Sequence, residues 1–226
     1  MAKKQSYFRI RRIISILFLL AVAAITSFYN NELWQPLPLS EFNTTETIEI
    51  LNNLEVKGRA PKTGYTRDQF GHGWATHSDG CDTRNKILKR DLIDTTENDK
   101  CQILTGTLND PYTGEEIEFS RSINSSAIQI DHVVALSDAW QKGAQQLLPD
   151  QRKDLANDPL NLLAVDGPAN QQKGDSDAAS WLPSNRLFRC QYIDRQIRVK
   201  QKYNLWITEA EKTAMLKIIN SCTPTQ

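Results

Sequence analysis

The sequence predicts an α+β fold, and three observations predict it. Ile130–Val134 is an apolar run too short for a helix, and Asn157–Val165 ends in a second, with Asn161 at its entrance. The second run leads into Asp166-Gly167-Pro168-Ala169-Asn170, a helix start in which Asp166 can cap and Pro168 fits the first turn. Ahead of both, the turn-rich Asn109–Gly114 joins strand-like runs at Ile103–Leu108 and Glu115–Phe119, which predicts a small β-hairpin. The expected architecture is therefore strand, strand, helix, with a hairpin and further helices around it.

The chain has 226 residues, enough for one sizeable domain with a tail or two small ones. Residues 1–30 carry a basic start and the apolar run Ile13–Ile25, the pattern of an export segment. Ala21-Val22-Ala23 has the small-x-small form of a cleavage site, whereas Ile13–Tyr29, 17 residues, is just long enough for a membrane anchor. Both readings send the body of the protein out of the cytoplasm. Residues 31–64 read as a spacer: Gln35-Pro36-Leu37-Pro38 is extended, and Thr44–Leu54 can form a helix with Ile48, Leu51 and Leu54 on one side. The domain proper is expected over 65–226.

Within that domain, Asp82–Leu92 predicts a helix capped by Asp82 or Thr83, with Ile87, Leu88 and Leu92 inward. Asp138–Leu148 and Leu187–Tyr203 predict two more, the latter carrying Arg189, Arg195, Arg198, Lys200 and Lys202 as either a phosphate-tracking stripe or a solvated face. Thr208-Glu209-Ala210-Glu211 is a capping box opening a last helix with Met215, Ile218 and Ile219. His72 and His77 lie in a Gly-rich loop without metal-ligand spacing, so a zinc site there is not expected. Cys81, Cys101, Cys190 and Cys222 follow the export segment and predict two disulfides. Three pairings are open; sequence order favours Cys81–Cys101 and Cys190–Cys222.

The chemistry concentrates between Ile130 and Lys173. An acid beside an imidazole, with an Asn on the following helix, is a compact metal-site plan, and metal-assisted hydrolysis needs an activated water, a Lewis acid on the substrate and charge relief for the leaving oxygen. His132 is the general-base candidate, because its ordinary pKa lies near neutrality. Asp131 and the side-chain oxygen of Asn170 would then hold a hard divalent cation. Asn161 is expected to tie the long connection together and orient His132. Lys173 and the helix start would favour a phosphate, and Arg84 is expected to contact phosphate or buttress the site. One conflict is visible already. Alternation along a strand sends Asp131 and His132 to opposite faces unless a bulge intervenes. Charge also argues against a nucleic-acid substrate: five of the 27 basic residues lie in 1–28, leaving 22 against 27 acids, a balance of −5.

Asp131-His132, Asn161 and Asn170-x-x-Lys173, together with Cys81-Asp82-Thr83-Arg84-Asn85, Asp110-Pro111-Tyr112-Thr113-Gly114 and Lys202-Tyr203-Asn204-Leu205-Trp206, resemble the HNH endonucleases. The likeness is to their GmrSD-like branch in exported bacterial proteins and runs from about Tyr65 to Cys222. It implies a ββα-metal (HNH, or His-Me finger) core with surrounding helices, and a geometry that brings Asp131, His132 and Asn170 to one site. It also implies Mg²⁺ as the ion, with Mn²⁺, Ca²⁺ or Zn²⁺ as alternatives, and a nucleic acid, DNA first, as substrate. Two other classes stay open: a catalytically silent binding or structural module of the same fold, and a metal-dependent hydrolase of cell-envelope material.

Overall fold

A computed structural model describes Phe18 and residues 42–222 of the protein. The segment read as signal or anchor, Phe18 apart, and the Pro-containing stretch 35–38 lie outside the described residues. The chain divides into two units, 1–35 and 36–226, and the second contains both β-sheets and every candidate site residue. Among the described residues no helix is long and apolar enough to cross a membrane.

The architecture is α+β. Helix α1 (Thr44–Asn53) is followed by a 3-10 turn at Arg67–Phe70, α2 (Thr83–Asp91), strands β1 (Ile93–Glu97), β2 (Ile103–Asn109), β3 (Glu116–Ser120) and β4 (Ile128–His132). Then come α3 (Leu136–Gln141), α4 (Pro149–Asn157), β5 (Leu162–Asp166), α5 (Gly167–Lys173), α6 (Arg189–Lys202) and α7 (Glu209–Ile219). β1, β2 and β3 form an antiparallel sheet in that order, and β4 pairs antiparallel with β5.

Local chemistry sets most of these boundaries. The Asp82 carboxylate accepts from the Asn85 amide and starts α2, and Asp166 accepts from Ala169 N to start α5. The Thr208/Glu211 capping box opens α7 as its sequence requires. α1 does not stand off as a tether: Ile50 and Leu51 pack in one core with Tyr192, Ile193, Ile197, Met215 and Ile219. A second core gathers Phe70, Val134, Leu136, Trp140, Leu155 and Ala156.

Three elements depart from expectation. The hairpin gains a third strand, β1, whose Ile-Asp-Thr-Thr-Glu is largely exposed and has no apolar alternation to announce it. The helix foreseen at 138–148 is α3 alone, and the chain turns off at Gly143, whose φ is +121°. Helix α4 shows a faint apolar face, because Leu155 and Ala156 are buried beside Arg152 rather than beside further aliphatics.

The basic stripe of α6 matches neither reading. Arg195 is 7 % exposed and donates to the carbonyls of Leu160 and Pro159; Lys200 is buried against Glu211. Arg198 pairs with Asp194 and Glu46, and Lys202 with Asp158. Arg195 and Lys200 are engaged inside the fold, while Arg198 and Lys202 make ion pairs from a partly exposed face.

Cys81 pairs with Cys101 and Cys190 with Cys222, closing spans of 20 and 32 residues. The second joins the start of α6 to the chain just after α7. Replacing Cys190 and Cys222 by serine is expected to cost roughly 2–4 kcal/mol. Urea unfolding would read this as a lower midpoint, and an unchanged midpoint would show that the pair adds nothing.

Candidate functional site

β4 and β5 hold their register without a break, from Ile128 opposite Asp166 to His132 opposite Leu162. No bulge intervenes, so alternation holds: Asp131 and His132 leave the strand on opposite faces, each with its own partners. Asn161 governs where the strand ends. Fully buried, it accepts from Val134 N (2.8 Å) and donates to the carbonyls of Val134 and Leu155 (both 3.3 Å). Its own carbonyl accepts from Val133 N at 2.8 Å. Asn161 therefore locks β4 to the end of α4, as expected, but makes no hydrogen bond to His132. Arg90 and Arg195 satisfy the carbonyls of the surrounding turn, both reaching Pro159 O and Leu162 O.

On its face, His132 is 7 % exposed and its Nε2 lies 2.9 Å from Ala156 O. A carbonyl only accepts, so Nε2 carries the proton and Nδ1 the free lone pair. Trp74 stacks on the imidazole, ring centres 5.7 Å apart and planes 13° from parallel. Burial pushes the His132 pKa down to about 3, against the Ala156 carbonyl, and the nearby charges of Arg67 and Lys173 push the same way. At neutral pH the ring is a neutral imidazole. It forms part of the wall of a cavity of about 170 Å³, shared with Arg67, Asp68, Phe70, Gly71, Gly73, Trp74, Leu136 and Ala156.

The opposite face is closed. The Asp131 carboxylate accepts from the Tyr112 hydroxyl on one oxygen and from Lys173 Nζ (2.9 Å) on the other. Lys173 also donates to His132 O at 2.9 Å and is 1 % exposed, so it is a buried strut here and does not present its ammonium to a phosphate. Burial raises the Asp131 carboxyl above its ordinary value, opposed by Lys173 and Tyr112. Tyr112 sits in the β2–β3 turn, where Asp110 holds Thr113 N and Asp166 N and so fixes the turn against β5. Asn170 donates to Gln129 Oε1 at 2.9 Å, and Gln129 lies two residues before Asp131 on β4.

In this structure Tyr112 and Lys173 stand on the carboxylate that the divalent cation expected between Asp131 and Asn170 would use. Both carboxylate oxygens are engaged and a lysine already neutralises the charge. No group of three or more His, Cys, Asp or Glu side chains among the described residues is arranged to hold a metal. His72 pairs with Asp68 and His77 meets Thr83 Oγ1, consistent with their reading as loop histidines. Arg84 is a buttress: its guanidinium makes long hydrogen bonds to Ser125 O (3.4 Å) and Ile128 O (3.5 Å) at the entrance of β4.

The sequence pointed at none of Arg67, Trp74 or the Ala156 carbonyl as partners of His132. Arg67 and Trp74 lie in the same Gly-rich loop as His72, and only the aromatic residues and glycines that punctuate that run marked the loop as structured. Gly167 carries a similar hidden constraint: a Cβ there would lie 2.4 Å from Ser126 O, which lets α5 start directly against the entry to β4.

Comparison with known proteins places these elements in a family. The chain is 36 % identical over 189 residues to an "Uncharacterized secreted protein" of Arthroderma benhamiae, a match covering 83 % of this chain and 90 % of that one. No solved structure matches. The family model of GmrSD restriction endonucleases, C-terminal domain, matches residues 82–218, a span that takes in β4, β5 and α5 with Asp131, His132, Asn161, Asn170 and Lys173, and the chain belongs to that family.

Proposed function

We propose that this protein is an exported endonuclease of the HNH type that hydrolyses phosphodiester bonds in nucleic acid, DNA first, with His132 as general base. One observation carries the reading: in a restriction-endonuclease family member, a neutral imidazole with a fixed tautomer forms the wall of a cavity rimmed by the exposed Arg67, Asp68 and Gly73. A water beside the His132 lone pair attacks phosphorus and gives its proton to the ring, while the P–O bond to the leaving sugar oxygen breaks and that oxygen takes a proton from solvent water. A base of low pKa is weak, but an anionic phosphate entering the cavity raises that pKa by stabilising the imidazolium. Asn161 and Ala156 act as positioning groups, Asn161 by holding β4 to α4 and Ala156 by orienting the ring.

Export is supported by the Arthroderma benhamiae relative, which is described as secreted, and by two disulfides, which persist in oxidising compartments. The apolar N-terminal segment would deliver the protein, as a cleaved signal or a retained anchor. A divalent ion, Mg²⁺ first, would supply charge relief on the phosphate. Its expected position opens only if Lys173 leaves Asp131, and no step is assigned to it.

The test is a plasmid-nicking assay with the oxidised protein, in Mg²⁺ and again in EDTA. Nicking in Mg²⁺ is the expected result. Loss of nicking in EDTA would require a rearranged Lys173–Asp131 pair, and nicking in both conditions would remove the ion from the reading. A second reading, a silent module of the same fold, draws on the closed Asp131 face; it expects no nicking in either condition.

A further inference from the structure

The geometry points to Arg67 and Lys153 as a phosphate anchor on the rim of the His132 cavity, recognising a backbone phosphate of the nucleic-acid strand being cut. This rests on the endonuclease reading of that cavity. It goes beyond the family assignment, because Arg67 lies ahead of the matched span of residues 82–218.

Cations in this fold are mostly spoken for. Arg59, Arg90, Lys142, Lys173, Arg195 and Lys200 all hold carboxylates or carbonyls, and so do exposed ones such as Lys62 with Asp175 and Lys89 with Glu97. Lys100, Arg186 and Lys217 are also exposed without a side-chain partner among the described residues, but none of them lines the His132 cavity. Arg67 is exposed, forms part of the same cavity as His132, and has no hydrogen-bond or ion-pair partner among the described residues. Its charge is close enough to depress the His132 pKa. Asp68, its neighbour on the rim, is engaged by His72 at 3.4 Å.

Lys153 supplies the second charge. It sits three residues before Ala156 on α4, so its side chain and that of Ala156 occupy neighbouring positions on the helix surface. Its alkyl chain runs over Gly71 in the cavity wall: a Cβ on Gly71 would meet Lys153 Cγ at 3.5 Å. Its ammonium is exposed and also without a partner among the described residues. Two unpaired cations flanking a cavity that holds a candidate base make a site for a doubly contacted phosphate, and the guanidinium can donate two parallel hydrogen bonds. With a body of net charge −5, a local pair of this kind is the means by which the protein would engage a polyanion.

The experiment uses the full oxidised chain and a fluorescein-labelled oligonucleotide, read by anisotropy across a salt series and by steady-state cleavage. Variants are Arg67→Ala, Arg67→Lys and Lys153→Ala, with Lys217→Ala as a remote control. Arg67→Ala is expected to weaken binding roughly tenfold to a hundredfold and to lower the slope of log K against log salt by about 1. Arg67→Lys should recover part of the affinity, which a purely structural role would not. Lys153→Ala should act in the same direction, and Lys217→Ala should match wild type. If Arg67→Ala and Lys153→Ala both keep wild-type binding, slope and KM while wild type cleaves, the anchor is wrong and the endonuclease reading stands. Binding that depends on Arg67 without any cleavage supports the anchor and removes the catalytic reading. A wild-type chain that neither binds nor cleaves the oligonucleotide overturns both.

Discussion

Replacing His132 by alanine is expected to slow nucleic-acid cleavage by about 10²–10⁴-fold, the range a positioned general base contributes, with the far-UV circular dichroism unchanged. The pH profile is the sharper readout. With a pKa of about 3, the ring is unprotonated through the mildly acidic range. The acid limb of kcat/KM should therefore fall well below pH 5 instead of near 6.5. Trp74→Ala uncovers the stacked ring and should move that limb upward. The same depressed pKa affects stability. The unfolded chain takes up a proton near pH 6.5 and the folded one only near 3, so the His132 contribution is complete above 6.5 and is lost as pH falls through that window. It amounts to a few kcal/mol at most, since about 1.4 kcal/mol attaches to each pKa unit. Urea unfolding at pH 7 and pH 4 should show a smaller pH dependence in His132→Asn than in wild type. An acid limb at 6.5 in the native protein would mean that the imidazole is not sequestered as described.

Replacing Lys142 by methionine is expected to destabilise the fold by roughly 3–5 kcal/mol, the cost of breaking a buried ion network from one side. Lys142 is fully buried and contacts Asp138 (2.8 Å), Asp177 (2.8 Å) and Glu211 (2.7 Å). Lys200 reaches Glu211 at 2.9 Å and Asp138 at 3.4 Å, while Arg59 reaches Asp138 at 3.0 Å and Asp177 at 2.8 Å. Three cations thus balance three carboxylates. Burial opposes ionisation of Asp177, yet Lys142 and Arg59 hold its pKa down to about 2. The network ties the segment before the 3-10 turn, through Arg59, to α3, to the chain after α5, and to α6 and α7. Without Lys142 three carboxylates face two cations in a dry interior. Denaturant unfolding reads the loss directly, and a midpoint shift no larger than that of the surface variant Lys217→Ala would refute it.

Much of this architecture was legible because local chemistry and periodicity write it into the chain. The caps at Asp82, Asp166 and Thr208 and the turn at Asn109–Gly114 need no distant partner to be recognised, whereas for the cysteines sequence order only favoured the pairing observed. β1 was not legible, since an exposed edge strand becomes one only by pairing with β2, and α4 was faint because its buried face includes Arg152. Read alone, the chain yields the strand, strand, helix order and singles out Asp131, His132, Asn161, Asn170 and Lys173; alternation raised the question of whether acid and imidazole point apart, and the resemblance argued the other way. What each of these side chains meets came from packing between distant segments. Tyr112 and Lys173 close over the carboxylate, Trp74 and the Ala156 carbonyl fix the imidazole, Arg67 lines the same cavity, and Lys153 lies against Gly71 in its wall. The physical reason is that burial, desolvation and charge pairing depend on groups far apart in the chain, and no local pattern records them.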